Sequence, residues 1–349
     1  MAAEPSTKAR AWVIFDRIVA DAAPGGIHTN PWGRDTDGQV VYQPDFETLT
    51  RLLGVPLYLE AETTTGVPAL ALDVWLSYEL RRAGFDPDAA WPRATAPRIL
   101  PAPIVSLLEK VPAKEREALW KRLRASTPPA GAAASSANIL GKNYLKQVDV
   151  VMSNWSAGPE LLISTKRMDS SFGKNAANRV EESYGDAKNL RLRHPLAALG
   201  FLYGLRSTIF QEAPDKAEWL IDLLQKLGRE DDAYHAVCLI IIEYGDDLAV
   251  GAGHDDLGDG EDPLAEAGIT APFEDVPTAE GSLADDEIDA ALAGLPRIRL
   301  QFGRVPADLQ PSHFLAEMVR RVLDATPVNH HREARKRRAD VISIDRSTA

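Results

Sequence analysis

The first third of the chain places apolar residues at spacings of three and four, which is the pattern of amphipathic helices. Three segments show this spacing: AWVIFDRIVADA (11–22), ALDVWLSYELRRAG (71–84) and AKEREALWKRLRA (113–125). The pattern therefore predicts a mainly helical N-terminal region over residues 1–125. The next segment, STPPAGAAASSAN (126–138), is rich in Pro, Ala, Gly and Ser, a composition typical of a linker.

Beyond the linker the pattern changes to short apolar runs that alternate with helical periodicity. Two strands, YLKQVDVVMS (144–153) and ELLISTK (160–166), are separated by the turn sequence NWSAGP and should form a hairpin. Helix and strand then alternate: a helix over about 175–190, a strand in 196–205, a helix in 215–228 and a strand in 233–245. Because the last two strands are almost wholly apolar, both faces of the sheet should be covered. The pattern predicts an α/β fold over residues 139–249.

The C-terminal third divides into an acidic part and a part with renewed periodicity. Residues 250–290 are acidic and contain Gly and Pro, which predicts a flexible insertion. Within residues 291–349 we expect a strand in RIRLQFG (297–303) and a helix in HFLAEMVRRVLDAT (313–326). The basic stretch HHREARKRR (330–338) is either a solvated end or an arm that contacts phosphates, and the sequence leaves both open.

The net charge of −12 hides an uneven distribution along the chain. Between Glu243 and Pro296 there are sixteen acidic residues and no Lys or Arg, so the rest of the chain carries +4. Residues 141–210 hold ten Lys or Arg against six Asp or Glu. A polyanionic partner is therefore compatible with this region in spite of the acidic total.

Composition disfavours several classes of protein. No apolar run approaches the ~20 residues of a membrane helix, and no apolar segment of the kind that a secretory signal needs follows the start of the chain. We therefore expect a cytoplasmic protein without a membrane span. The single cysteine, Cys238, excludes an internal disulfide and argues against a cysteine-based zinc site. No GxxxxGK[ST] segment is present, which disfavours an NTPase.

The predicted hairpin carries the candidate chemistry. Side chains two residues apart on a strand share a face, so Ser164 and Lys166 point to one side and Thr165 to the other. Asp149, on the preceding strand, should come close to Lys166 when the hairpin closes. By residue type alone, this pair is either a partly buried ion pair or part of a functional site.

Metal-dependent hydrolysis of a phosphodiester needs carboxylates that hold Mg²⁺ and a cation that orients the attacking water. Asp149 and Lys166 supply one of each. The following helix offers a second carboxylate in Glu181 or Glu182. On a helical wheel centred on Val180, Glu181 lies at the edge of the apolar face whereas Glu182 points to solvent, so Glu181 is the better candidate.

Asp149, a hairpin, the strand residues Ser164-Thr165-Lys166 and a helix glutamate together resemble the PD-(D/E)xK nuclease superfamily. The resemblance is to a variant seen in some type II restriction endonucleases, in which serine replaces the second acid of the strand and a helix glutamate takes its place. It covers roughly residues 139–245, and the order strand, strand, helix, strand matches the family core. Two departures are that Val148 stands in place of proline and that the fourteen residues between Lys166 and Glu181 exceed the usual spacing.

The resemblance implies a restriction-endonuclease-like core, a central mixed sheet flanked by helices, with the helical N-terminal region serving recognition or dimerisation. Asp149 and Glu181, less favourably Glu182, would coordinate Mg²⁺ together with the backbone carbonyl of Thr165. Lys166 would orient the water and offset the charge on the phosphate, and Ser164 would mark the relocated acid. Contacts to DNA phosphates would come from a set of polar and basic residues: Arg167, Lys174, Asn175 and Arg179.

The expected function is that of a Mg²⁺-dependent endodeoxyribonuclease of type II restriction kind. Its substrate would be double-stranded DNA, it would act as a homodimer, and a cognate methyltransferase could accompany it in the same system. Two alternatives stay open. One is a defence or repair nuclease with little sequence specificity, and the other is a catalytically inactive nuclease fold that only binds DNA or a protein partner.

Overall fold

The computed structural model describes residues 5–124, 133, 134, 137–170, 172, 176–245 and 283–343. Most of the predicted linker (126–138) and most of the predicted acidic insertion (250–290) lie outside the described residues. Among the described helices, none is both long and apolar enough to cross a membrane.

The strands in the described part of the chain form one mixed sheet and two hairpins. The hairpins pair β1 (Trp32–Arg34) with β2 (Val40–Tyr42) and β4 (Ala137–Leu140) with β5 (Leu145–Val148). The sheet has the order β10-β9-β8-β7-β6-β3, from β3 (Ala90–Trp91), β6 (Val150–Asn154), β7 (Gly158–Met168), β8 (Ala198–Arg206), β9 (Ala236–Glu243) and β10 (Arg299–Leu300). Strands β7, β8 and β9 are parallel to one another, whereas β6 runs antiparallel to β7.

The helices lie before, between and after these strands. In chain order they are α1 (Thr7–Ala22), α2 (Phe46–Tyr58), α3 (Val67–Arg82), α4 (Ala102–Glu109), α5 (Ala113–Leu123), α6 (Ala176–Arg193), α7 (Ile209–Glu212), α8 (Pro214–Leu227), α9 (Asp285–Ala293), α10 (Pro311–Ala325) and α11 (Arg332–Ser343). The predicted α/β fold is confirmed as a mixed sheet flanked by helices, and residues 5–124 are mainly helical.

Both faces of the sheet are covered, as the apolar strands predicted. One face packs against α1, α2, α3 and α10, in a core that includes Leu52, Trp75, Ile163, Cys238 and Phe314. The other face packs against α6 and α8, in a core that includes Leu162, Ala187, Phe201, Leu220 and Leu239. The N-terminal helices therefore share one hydrophobic core with the sheet. Their role in recognition or dimerisation stays a prediction.

The predicted strand over residues 144–153 is wrong in one respect, because two strands replace it. The break falls at Asp149, between β5 and β6, and β5 pairs with β4 rather than with the large sheet. At this break the side chain of Asp149 accepts a hydrogen bond from the backbone of β7. The predicted strand over 297–303 shortens to β10, since a 3-10 turn begins at Phe302.

The basic stretch 330–338 lies mostly in α11 and packs against the N-terminal region. The Arg337 guanidinium donates to the backbone carbonyls of Arg82, His28 and Thr29. Arg335 donates to four carbonyls, those of Leu323, Thr326, Pro327 and His330. These two arginines hold α11 in place. The basic stretch is therefore packed against the protein and does not form a free arm.

Glycine 200 sets the distance between β8 and α10. A Cβ built at Gly200 would lie 2.7 Å from the Phe314 ring and 2.9 Å from the Met318 sulfur, both of which are buried. We expect Gly200→Ala to lower the free energy of unfolding by about 1–3 kcal/mol, because the added methyl overpacks this contact. Denaturant unfolding measures the effect.

The matched control is Gly185→Ala on α6, where an added Cβ meets nothing within 4 Å. This change should raise the free energy of unfolding by about 0.4–1 kcal/mol, since alanine restricts the unfolded chain. Equal effects of the two substitutions would contradict the packing described for β8 and α10.

Candidate functional site

The first part of the site lies where β6 begins beside the second half of β7. Val150 is paired with Ile163, so Asp149 enters the sheet next to the Ser164-Thr165-Lys166 segment. The carboxylate of Asp149 accepts a hydrogen bond from the Thr165 amide, with 2.8 Å between Oδ2 and N. The structure therefore brings Asp149 to the predicted strand motif, although the two lie sixteen residues apart in the chain.

A second carboxylate reaches the same strand from α3. The Thr165 hydroxyl donates to Oδ1 of Asp73 across 2.5 Å, and Asp73 is only 8% exposed. Burial and the nearby charge of Asp149 raise the pKa of Asp73 well above its ordinary value, while the hydrogen bond from Thr165 and the charges of Lys8 and Lys166 act in the opposite direction. Two acids and two ammonium groups are thus close enough to influence one another.

Helix α3 is fixed in rotation by a buried polar network on its other turns. Glu79 is fully buried and pairs with Arg82 at 2.8 Å. It also accepts hydrogen bonds from the Tyr42 hydroxyl and from the Asp45 amide. Because these contacts hold α3 in one orientation, Asp73 faces β7 rather than solvent.

The motif pattern gave Asp73 no role, yet the sequence contains a signal for it. Asp73 interrupts the apolar run ALALDVWL (69–76) at a position that shares a helix face with Leu70 and Leu76. A carboxylate is rarely buried without a partner, so an acid within an apolar helical face is an informative observation. The hairpin motif itself contains no information about a helix that lies so far upstream.

Lys166 and Ser164 lie on the opposite face of β7 from Thr165. Lys166 is half-buried, and its ammonium group makes no hydrogen bond or ion pair with any residue that the structure describes. Ser164 is buried beside Tyr234, whose hydroxyl donates to the Ser183 carbonyl of α6 at 2.9 Å. Ser164 therefore contributes to the packing of β7 against α6. Lys166 places an ammonium group at the edge of the site.

The predicted helix ligand, Glu181, does not join the two aspartates in a complete ligand set. Glu181 and Glu182 are both exposed on α6. Within the described part of the chain, no group of three His, Cys, Asp or Glu side chains is placed to hold a metal ion. A role for either glutamate as a metal ligand stays a prediction.

Helix α6 is held against the β4–β5 hairpin by polar contacts. Lys146 of β5 pairs with Asp186 at 3.0 Å, and the Tyr144 hydroxyl donates to the same carboxylate at 3.0 Å. The Asn189 side chain accepts from the Asn143 amide at 2.8 Å and donates to the Tyr144 carbonyl at 3.1 Å. These bonds fix the C-terminal half of the helix, whereas Glu181 lies near its N-terminal end.

The expected phosphate contact from Arg167 needs correction. Its guanidinium is buried against Asp169, with Nε 2.8 Å from Oδ2, and it also donates to the Pro68 carbonyl at 3.2 Å. Asp169 is held in turn by the Tyr244 hydroxyl at 2.7 Å. A guanidinium enclosed in this way cannot reach a DNA phosphate. Lys174, Asn175 and the side chain of Arg179 lie outside the described residues, so their roles stay predictions.

The residues present fit a hard divalent cation. Asp73 and Asp149 offer carboxylate oxygens, which are the donors that Mg²⁺ prefers. Two carboxylates held close together in a partly buried place repel each other, and a cation between them would relieve that repulsion. The pair comes from α3 and from the start of β6, elements whose positions are fixed by the packing of the core.

Neutralising Asp73 should stabilise the fold when no divalent metal is present. Because the pKa of Asp73 is raised by folding, the native state loses stability as the pH rises from the ordinary carboxyl range through the folded pKa. Asparagine does not titrate, so Asp73→Asn should unfold at a higher temperature than the wild type at pH 8 in EDTA, and the difference should narrow at pH 5. Thermal unfolding measures both values.

Asp37→Asn serves as the control for this comparison, because Asp37 is exposed in a turn and a surface change of this kind stays within about 0.5 kcal/mol. A lower unfolding temperature for Asp73→Asn than for the wild type at pH 8 would contradict the charge repulsion inferred here.

Replacement of Arg167 should act on stability. Arg167→Met leaves the Asp169 carboxylate buried without its cation, which should cost about 3–5 kcal/mol of unfolding free energy. The matched substitution is Arg229→Met, since Arg229 pairs with Asp308 at 2.9 Å but is 67% exposed. Breaking that surface pair should cost about 0–1 kcal/mol. Denaturant unfolding of the two variants tests the difference, and similar losses would contradict it.

Comparison with known proteins adds no relative of this chain. No protein-family model, no curated protein and no solved structure matches it at the significance required. The site is therefore defined by its own geometry: Thr165 bonds two aspartates from distant segments, and Lys166 follows it on the same strand.

Proposed function

We propose that this protein is a Mg²⁺-dependent endodeoxyribonuclease of the restriction-endonuclease type. The observation that carries the proposal is that Thr165 of β7 bonds both Asp73 and Asp149, while Lys166 is the next residue of the same strand and its charge acts on Asp73. The order β6, β7, α6, β8 is the strand, strand, helix, strand order on which the resemblance to the PD-(D/E)xK superfamily rests. This support comes from geometry and motif, since no relative bears on the activity.

In this proposal Asp73 and Asp149 hold the metal ion, with the Thr165 carbonyl as a further ligand. When bound, Mg²⁺ would polarise the scissile phosphate and make a water molecule more acidic. Lys166 orients the attacking water and stabilises the negative charge that develops on the phosphate. Its freedom from ion pairs with the described residues suits this task, because a lysine already paired with a carboxylate would have to release it first.

Asp73 takes the place that the sequence pattern gave to Glu181. The two hypotheses differ in which second carboxylate the reaction needs, so they can be separated by mutation. If Glu181 swings towards the metal when DNA binds, both acids contribute. Glu182 is the natural control, since it is exposed on the same helix and one residue away.

Cleavage of a supercoiled plasmid in Mg²⁺ tests the proposal. The wild type should cut, while Asp149→Asn, Lys166→Met and Asp73→Asn should each lose about 10²–10³-fold in rate, the usual effect of removing one preorganised charged or polar group. Glu182→Gln should cut like the wild type. Circular dichroism and thermal unfolding establish that each variant is folded.

A folded wild type that cuts no DNA in Mg²⁺ or Mn²⁺ would overturn the proposal and leave a DNA-binding protein as the better description. Loss of cleavage in Glu181→Gln but not in Asp73→Asn would restore the ligand set of the sequence pattern. Discrete fragments from linear DNA support a restriction enzyme, whereas a smear supports a defence or repair nuclease. Sedimentation of the active protein tests the expected homodimer.

A further inference from the structure

Thr165 bonds both aspartates through different atoms. Its backbone amide donates to Oδ2 of Asp149 at 2.8 Å, and its side-chain hydroxyl donates to Oδ1 of Asp73 at 2.5 Å. One residue of the sheet therefore donates a hydrogen bond to one oxygen of each carboxylate. The sequence motif assigned only its carbonyl oxygen to the site, and neither of these two donors.

The position of Thr165 is fixed by the sheet. It lies on β7 between β6 and β8, is paired with Leu202 of β8, and is 4% exposed. Its β-branched side chain has few accessible χ1 rotamers, so the hydroxyl has little freedom to leave Asp73. The fixed position of the strand thereby restricts the side chains of Asp73 and Asp149, which come from other elements.

Donors aimed at the two acids offset the repulsion between them. Bringing Asp73 beside Asp149 in a buried place is unfavourable, and the alternatives for Asp73 are to take up a proton or to turn away. A hydrogen bond to one oxygen favours the charged form and fixes the plane of the carboxylate. Groups that orient metal ligands in this way contribute to metal affinity without touching the metal.

We propose that Thr165 is a positioning residue, whose hydroxyl holds Asp73 in register with Asp149 and so sets the affinity of the pair for a divalent cation. The role in metal binding stands on the geometry, and its consequence for DNA cleavage rests on the proposed function. The chemistry that the site recognises is a hard cation such as Mg²⁺ or Mn²⁺, held by carboxylate oxygens.

The test is calorimetric titration of the full chain with Mn²⁺ in the absence of DNA. Thr165→Val removes the hydroxyl and keeps the shape and β-branching of the side chain, so Mn²⁺ affinity should fall by about 10- to 100-fold. Thr165→Ser restores the hydroxyl and should recover most of the affinity. If the Thr165→Val variant does not fold, Thr165→Ala is measured in its place.

The matched control is Thr50→Val, the same change at a hydroxyl that bonds the Glu47 carbonyl within α2. Its Mn²⁺ affinity should equal that of the wild type. The concentration of Mg²⁺ that gives half-maximal plasmid cleavage should rise for Thr165→Val in step with the loss of Mn²⁺ affinity. A side chain that only supported the fold would lower the unfolding temperature without moving this concentration.

The outcomes separate the two proposals. Mn²⁺ binding that depends on the Thr165 hydroxyl, in a protein that never cuts DNA, sustains the positioning role and overturns the nuclease. Cleavage with unchanged Mn²⁺ affinity in Thr165→Val overturns the positioning role alone. An equal loss in Thr165→Ser and Thr165→Val also overturns it, as does a wild type that binds no Mn²⁺.

Discussion

The arrangement of the site depends on one unfavourable interaction that the rest of the fold must compensate, the approach of two carboxylates in a partly buried place. Asp73 and Asp149 both bond Thr165, and each raises the free energy of ionising the other. Stability alone would favour a neutral side chain at position 73. The buried acid nevertheless lies beside a second acid, and the proposed cation between the two would account for that combination.

The compensation comes from elements that pack independently of the site. Helix α3 is held by the Glu79–Arg82 pair and by the apolar core that it shares with α2, α10 and the sheet. Strand β7 is held by β6 on one side and β8 on the other. Because both elements are fixed by contacts away from Asp73 and Thr165, the packed core can keep the two acids together.

The sequence predicted the sheet well and the site only in part. Period-two alternation predicted that neighbouring residues of β7 face opposite sides of the sheet, and the structure agrees, since Leu161 and Ile163 lie in one core and Leu162 in the other. Helices α6 and α8 also follow their predicted ranges closely. Local periodicity determines such elements, so local reasoning is sufficient to find them.

The remaining parts depend on contacts between distant segments, which no local pattern encodes. Asp73 lies ninety-two residues from Thr165 in the chain, and only the packing of α3 on β7 brings them together. Arg167 looked like a phosphate ligand because it is basic and follows Lys166, yet its strand face turns it towards α3 and Asp169. Neighbours in the sequence of a strand lie on opposite faces, so adjacency to a candidate catalytic lysine is poor evidence for a shared role.

The position of Asp73 also changes how the N-terminal region is understood. The linker-like composition of residues 126–138 suggested a helical unit joined to a separate nuclease core, with recognition or dimerisation as its task. An N-terminal helix that supplies one of the two carboxylates cannot be removed without dismantling the site. If the two acids hold a cation as proposed, substitutions that loosen α1, α2 or α3 would impair metal binding before they unfold the sheet, because the acids repel each other and need both elements in place.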